Sequence, residues 1–375
     1  MQTVDATLER EASLVRDAKE YSIVDCDVHP LATDGLNSVY PYMSRAWRRR
    51  FSEKGATVQS PLNVRFSHPT GAIRPDATTP SGRTGGSEPE FMREDLLERF
   101  GIAYAILSGL EPARFAVGLA GPDESTSLCS AFNDYFIEEW LSVDKRFRYV
   151  ICVSPQDPEK AAQEVRRHAN TRGVVGVYLP PMNILMGNRH HYPIYKAAQR
   201  AGLPIFFHVT GAEIIYQGAP VASGGWPESY AERRMAFYQV GEANLASLVF
   251  TGVFERFPEL KFVFAESGFT WAVPHSWRMD ATWQMFRAET PWVKRPPSEY
   301  IRERVGFTTQ PLEGPIGDSA GLNKIIEMLG EETLLFATDY PHFDQDNPDW
   351  ILRGLSAETK AKIFSRNAHR FFRLD

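Results

Sequence analysis

Apolar positions along the chain follow two rhythms. Short runs rich in β-branched and aromatic residues occur at 21–27 (YSIVDCD), 103–107 (AYAIL), 149–153 (YVICV), 174–179 (VVGVYL), 205–209 (IFFHV), 261–265 (KFVFA), 305–309 (VGFTT) and 333–338 (TLLFAT). Between them lie longer stretches with apolar residues three and four apart, at 159–169 (EKAAQEVRRHA), 195–200 (YKAAQR), 320–329 (AGLNKIIEML) and 357–372. Gly202 and Gly330 stand just past two of these stretches, where helices commonly stop. Strands alternating with helices predict βα units and a parallel sheet. Eight such strands are the number that closes a barrel, so the expected fold class is α/β, a (β/α)8 TIM barrel. The alternation breaks after the first strand, and 66–90 is dense in Gly, Pro, Ser and Thr. We therefore expect one domain over 1–375 with a long insertion, 31–90, acting as a lid or loop segment on the face where loops follow strands.

Composition narrows the function. The 375 residues carry 41 basic and 47 acidic side chains, a formal charge of −6, with no basic footprint for phosphates, so nucleic acid is excluded as a partner. No run approaches the roughly 18 apolar residues of a membrane span. The polar stretch 1–20 lacks the apolar centre of a signal peptide, which sets the cytoplasm as the expected location. Three scattered cysteines, Cys26, Cys129 and Cys152, suit neither a disulfide framework nor a thiolate metal site. Residues 40–51 (YPYMSRAWRRRF), rich in aromatics and Arg, have the make-up of an interface, and a homodimer is expected.

Chemistry concentrates at predicted strand ends. Strand alternation puts Asp25, Asp27 and His29 on one side where the first strand finishes. His208 stands near the end of the fifth strand, and Asp339 directly follows the eighth. Singly, each has an ordinary structural reading: Asp27 and His29 as caps, His208 as a core histidine, Asp339 as an N-cap. Together they would face one mouth, where barrel enzymes keep their catalytic groups. Oxygen and imidazole ligands suit Zn, Mn, Fe or Co. Tyr178, Trp271 and Thr309 fall at or just past strand ends, His342 lies three residues beyond Asp339, and His190 and His191 occupy the loop after the fourth strand. No phosphate loop, dinucleotide motif or G-x-S-x-G nucleophile context is present.

The D-x-H at 27–29, His208, the run GVFERFPELK at 252–261, TDYPH at 338–342 and the closing Asn367-Ala368 resemble the amidohydrolase-related group of the amidohydrolase superfamily, the branch that includes the aminocarboxymuconate-semialdehyde decarboxylases. The resemblance implies a barrel that decarboxylates, hydrates or hydrolyses a small molecule through one divalent ion. It implies Asp27, His29, His208 and Asp339 as metal ligands, with zinc taken first and Mn, Fe or Co as alternatives. Many members have a His after the sixth strand where this chain has Glu266. With Asp27 and Asp339, that carboxylate would gather up to three negative charges and repel an anionic substrate. The sequence thus favours a metal-dependent hydrolase of an ester, amide, lactone or other carbonyl compound, with Asp339, Glu266 and His208 as catalytic groups and His342, Tyr178 and Trp271 binding substrate. Non-oxidative decarboxylation of an aromatic or dienoic acid is the alternative.

Overall fold

The computed structural model describes residues 21–56, 72–209, 229–314, 319–352 and 354–374. Eight strands, β1 (Ile23–Val28), β2 (Ile102–Leu107), β3 (Phe147–Cys152), β4 (Val174–Tyr178), β5 (Ile205–His208), β6 (Phe262–Ala265), β7 (Val305–Thr308) and β8 (Leu334–Leu335), run in sequence order in one parallel sheet. Closure comes from the chain just after β8. Cys26 N donates to Phe336 O (2.8 Å), Asp339 N to Asp27 O (3.1 Å) and His29 N to Tyr340 O (2.8 Å). The fold is the expected (β/α)8 barrel. Regular pairing in β8 is shorter than the predicted 333–338, because the bonds beyond Leu335 turn elsewhere: Phe336 N donates to Ile363 O, and Ala337 N to the Thr309 hydroxyl.

Two apolar layers explain why the strands read as nearly continuous apolar runs. Val24, Cys26, Ile106, Val150, Cys152, Phe206, Val263, Ala265 and Leu335 pack together as the barrel interior, with Phe371 and Phe372 at the end of the last helix. Their neighbours along the strands, among them Ile23, Leu107, Ile151, Ile205, Phe207, Phe264 and Phe307, join the large cluster shared with the helices. With the interior sealed by side chains, chemistry is left to the strand ends.

The predicted helices appear as Pro158–His168, Tyr192–Ala201, Ser319–Leu329 and a terminal stretch built from Ala357–Ala361, Lys362–Arg366 and Asn367–Phe371. Gly202 ends the second in the left-handed conformation, φ 61°. Part of the insertion reaches the mouth. Arg74 N donates to Pro341 O (2.9 Å), Phe343 N to Ala72 O (2.8 Å) and Leu31 N to Gly86 O (2.7 Å). At Gly86, φ 86°, a Cβ would lie 2.7 Å from the carbonyl oxygen of His29, so only glycine lets this segment approach β1 so closely. Residues 57–71 of the insertion lie outside the described residues.

Candidate active site

The site is built where β1, β5, β6 and the segment after β8 finish. Register shifts in β1 between Asp25 and Val28 interrupt simple alternation. Asp25 is thereby separated from the pair it was expected to join. Its buried carboxylate accepts from Thr338 N (3.0 Å), the Thr338 hydroxyl (2.6 Å) and Asp27 N (3.3 Å), bracing β1 against the segment after β8. Burial pushes that carboxyl up to about 7.

Asp27, His29, His208 and Asp339 come together, each no more than 1% exposed. Ser108, the residue after β2, organises two of them: its hydroxyl donates to Asp27 Oδ1 (2.6 Å), and its carbonyl accepts from His29 Nδ1 (2.9 Å). His208 Nδ1 is likewise directed at a carbonyl, that of Val209. Both imidazoles therefore turn Nε2 inward, the tautomer of metal-ligating histidines held by a carbonyl. His29 Nε2 lies 2.7 Å from Asp339 Oδ1, which also meets His342 Nδ1 at 2.7 Å. His208 Nε2 and Asp27 Oδ2 are 3.1 Å apart, yet neither atom, nor Asp339 Oδ2, makes a hydrogen bond among the described residues. Three buried atoms without a partner, two of them facing each other and the third on the carboxylate bonded to His29, are costly for a protein alone and fit an oxygen- and nitrogen-bound dication. Asp27, His29 and His208 form one group whose ligand atoms lie within 4.8 Å of one another; His29, Asp339 and His342 form a second.

Without an ion, the carboxylates and imidazoles of the cluster pair with one another. Burial alone would raise the Asp27 carboxyl, but His208 and His29 outweigh it and hold it below the ordinary range. Asp339 is lowered in the same way, burial being outweighed by His342 and His29. Burial lowers His29, but Asp27 and Asp339 win and raise it to about 10; His208 is raised against burial chiefly by Asp27. Glu266 behaves oppositely. Burial, then the nearby Asp339, push its carboxyl up to about 7. Its Oε2 lies 3.6 Å from His208 Nε2, and its Oε1 3.7 Å from Arg234, whose guanidinium pairs with Asp344 at 2.7 Å. Glu266 and Asp339 both adopt positive φ, 46° and 64°, a conformation non-glycine residues rarely hold without surrounding support.

The remaining candidates divide. His342 sits beside Asp339, its ring 4.7 Å from that of His29. Tyr178 is fully buried, donating its hydroxyl to His208 O (3.3 Å). Trp271 is engaged elsewhere: its indole donates to Ser267 O (2.8 Å) and packs on His275 and Phe307. His190 binds Pro155 O, and His191 is buried rather than on the surface. Thr309 ties β7 to β8. Ser108 and Arg234 were not anticipated. Ser108 had a signal, a polar residue directly after an apolar strand; Arg234, within the helix Tyr230–Phe250, had none.

A closed parallel barrel with a buried carboxylate and imidazole cluster at its strand ends is the architecture of a barrel enzyme with a possible metal site. The amidohydrolase family model matches residues 24–374, and the chain belongs to that family. Among its relatives is a gamma-resorcylate decarboxylase of Polaromonas sp. (strain JS666 / ATCC BAA-500), 26% identical over 319 residues, covering 80% of this chain and 92% of that protein. Another is the 2-amino-3-carboxymuconate-6-semialdehyde decarboxylase of Dictyostelium discoideum, 25% identical over 273 residues, 68% of this chain and 69% of that one. The fold matches the crystal structure of 5-carboxyvanillate decarboxylase from Novosphingobium aromaticivorans with bound manganese, at a TM-score of 0.66 and 18% identity, covering 95% and 98% of the two chains. These findings do not support the hydrolase expectation, and none supports zinc. The charge argument behind the hydrolase reading also weakens, since burial favours a neutral Glu266 and Arg234 stands beside it.

Proposed function

We propose that the protein is a metal-dependent, non-oxidative decarboxylase of an aromatic acid. The observation that carries this reading is the buried cluster of Asp27, His29, His208 and Asp339, with Asp27 Oδ2, His208 Nε2 and Asp339 Oδ2 unpartnered among the described residues, in a chain whose relatives are decarboxylases. Asp27, His29, His208 and Asp339 would hold one divalent ion, manganese before zinc given the manganese in a structural neighbour. When bound, the ion would act as a Lewis acid toward substrate oxygen atoms.

The chain's own groups supply the rest. Asp339, held anionic by two imidazoles, fixes His29 and His342. Glu266 is the carboxyl that keeps a proton near neutrality, and its proton passes to the ring carbon bearing the carboxylate. The bond from that carbon to the carboxylate then breaks, its electron pair returns to the ring, and carbon dioxide leaves. His342 stands where it can hydrogen-bond the acid, and Tyr178 steadies His208. The segment 72–90 serves as a lid of the same domain, supported by its bonds to the strand ends.

Incubating manganese-loaded protein with 2,6-dihydroxybenzoate and 5-carboxyvanillate and trapping carbon dioxide tests the proposal. Equimolar release of carbon dioxide and decarboxylated arene is expected from at least one acid. Hydrolysis of aryl esters or lactones with no carbon dioxide from either acid would restore the hydrolase reading.

A further inference from the structure

The strand ends at the mouth carry another buried polar residue with no part in that scheme. Gln310 lies two residues past β7, between the strand ends that carry Glu266 and Asp339. It is 1% exposed, and neither its Oε1 nor its Nε2 has a hydrogen-bond partner among the described residues. A primary amide offers two donors and an acceptor, and buried amides in native proteins are nearly always matched.

The backbone around it is fixed on both sides. The Thr308 hydroxyl donates to Gln310 O (3.1 Å) and accepts from Glu266 N (3.1 Å). Thr309 N donates to Leu335 O (2.9 Å), and the Thr309 hydroxyl accepts from Ala337 N (3.2 Å). These bonds tie the Gln310 backbone to that of Glu266 through Thr308, while its side-chain amide has no partner among the described residues.

We propose that Gln310 is a specificity-determining residue that reads a hydroxyl on the aromatic ring, an inference that rests on the decarboxylase reading. A hydroxyl can donate to Oε1 while an adjacent oxygen, of the carboxylate or a second hydroxyl, accepts from Nε2. An unsubstituted arenecarboxylate has only acceptors and leaves Oε1 unmatched. The ligand class is therefore an acid with a hydroxyl beside its carboxylate.

The test is calorimetric binding of 2,6-dihydroxybenzoate and of benzoate to the manganese-loaded wild type, Gln310→Leu and Gln310→Met, with thermal unfolding of each. The wild type is expected to prefer the dihydroxy acid. Both variants should bind it about 10-fold more weakly, the size of one lost hydrogen bond, and lose most of the wild type's preference for it over benzoate. Their Tm should equal or exceed that of wild type, since an apolar side chain removes an unmatched buried amide. A lower Tm with unchanged discrimination, or failure of both variants to fold, makes the amide structural and overturns this assignment while leaving the decarboxylase reading intact. A wild type that binds neither acid overturns that reading, and this assignment with it.

Discussion

Replacing Ser108 by Ala removes one hydroxyl and leaves the backbone in place, so it isolates how the candidate metal ligands are held. The hydroxyl donates to Asp27 Oδ1 at 2.6 Å inside a fully buried site, while the bond from His29 Nδ1 goes to the Ser108 carbonyl and survives the change. A hydrogen bond to a charged group contributes about 1.5–3 kcal/mol. At about 1.4 kcal/mol per decade, that is a roughly 10- to 100-fold loss of affinity, matching the usual effect of groups that orient metal ligands. Titrating manganese into chelator-stripped wild type and Ser108→Ala, in competition with a fluorescent chelator at one near-neutral pH, reads this directly. Far-ultraviolet circular dichroism should be unchanged, because Ser108 makes no contribution to the apolar layers. Equal manganese affinity in the two proteins would refute the claim that this hydroxyl orients Asp27 as a ligand.

Three further outcomes are expected. Glu266→Gln keeps the volume and removes the proton-carrying carboxyl, so metal content should persist while turnover falls about 10²–10⁴-fold; near-normal turnover would move the proton to another group. Burial pushes His191 down to about 4, so the unfolded chain takes up that proton first as pH falls. Stability should be lost between about pH 6.5 and 4, by at most about 3 kcal/mol, and urea unfolding of His191→Phe should lack this part of the pH dependence. We also propose a homodimer through the aromatic and Arg-rich segment that includes the helix Arg45–Lys54, and a monomeric mass by light scattering at micromolar concentration would exclude it.

The barrel was legible because each strand is buried on both faces, which writes it into the sequence as an apolar run. Asp339 and His208 were legible for the same reason: a charged or ionisable residue at the end of such a run stands out. Asp25 shows where the pattern fails, because the register shifts after it send its carboxylate to Thr338 instead of the cluster. Ser108 was visible as a polar residue at a strand end, but its importance comes from a carboxylate 81 positions away in sequence. Arg234 and Gln310 could not be found at all. Arg234 is defined by Glu266 and Asp344, and Gln310 by a side-chain amide with no partner among the described residues, and neither relation leaves a mark in local spacing. The hydrolase expectation finds no support among the chain's relatives, and the charge argument behind it lacked a quantity that sequence does not carry, the burial that pushes the Glu266 carboxyl up.

An anomalous difference map collected at the manganese edge from crystals soaked in manganese tests the candidate centre most directly. A single strong peak is expected, in contact with Asp27 Oδ2, His29 Nε2, His208 Nε2 and Asp339, and absent from crystals of His208→Ala. A peak bound by other residues, or none at saturating manganese, would contradict the assignment of these four side chains as one metal centre.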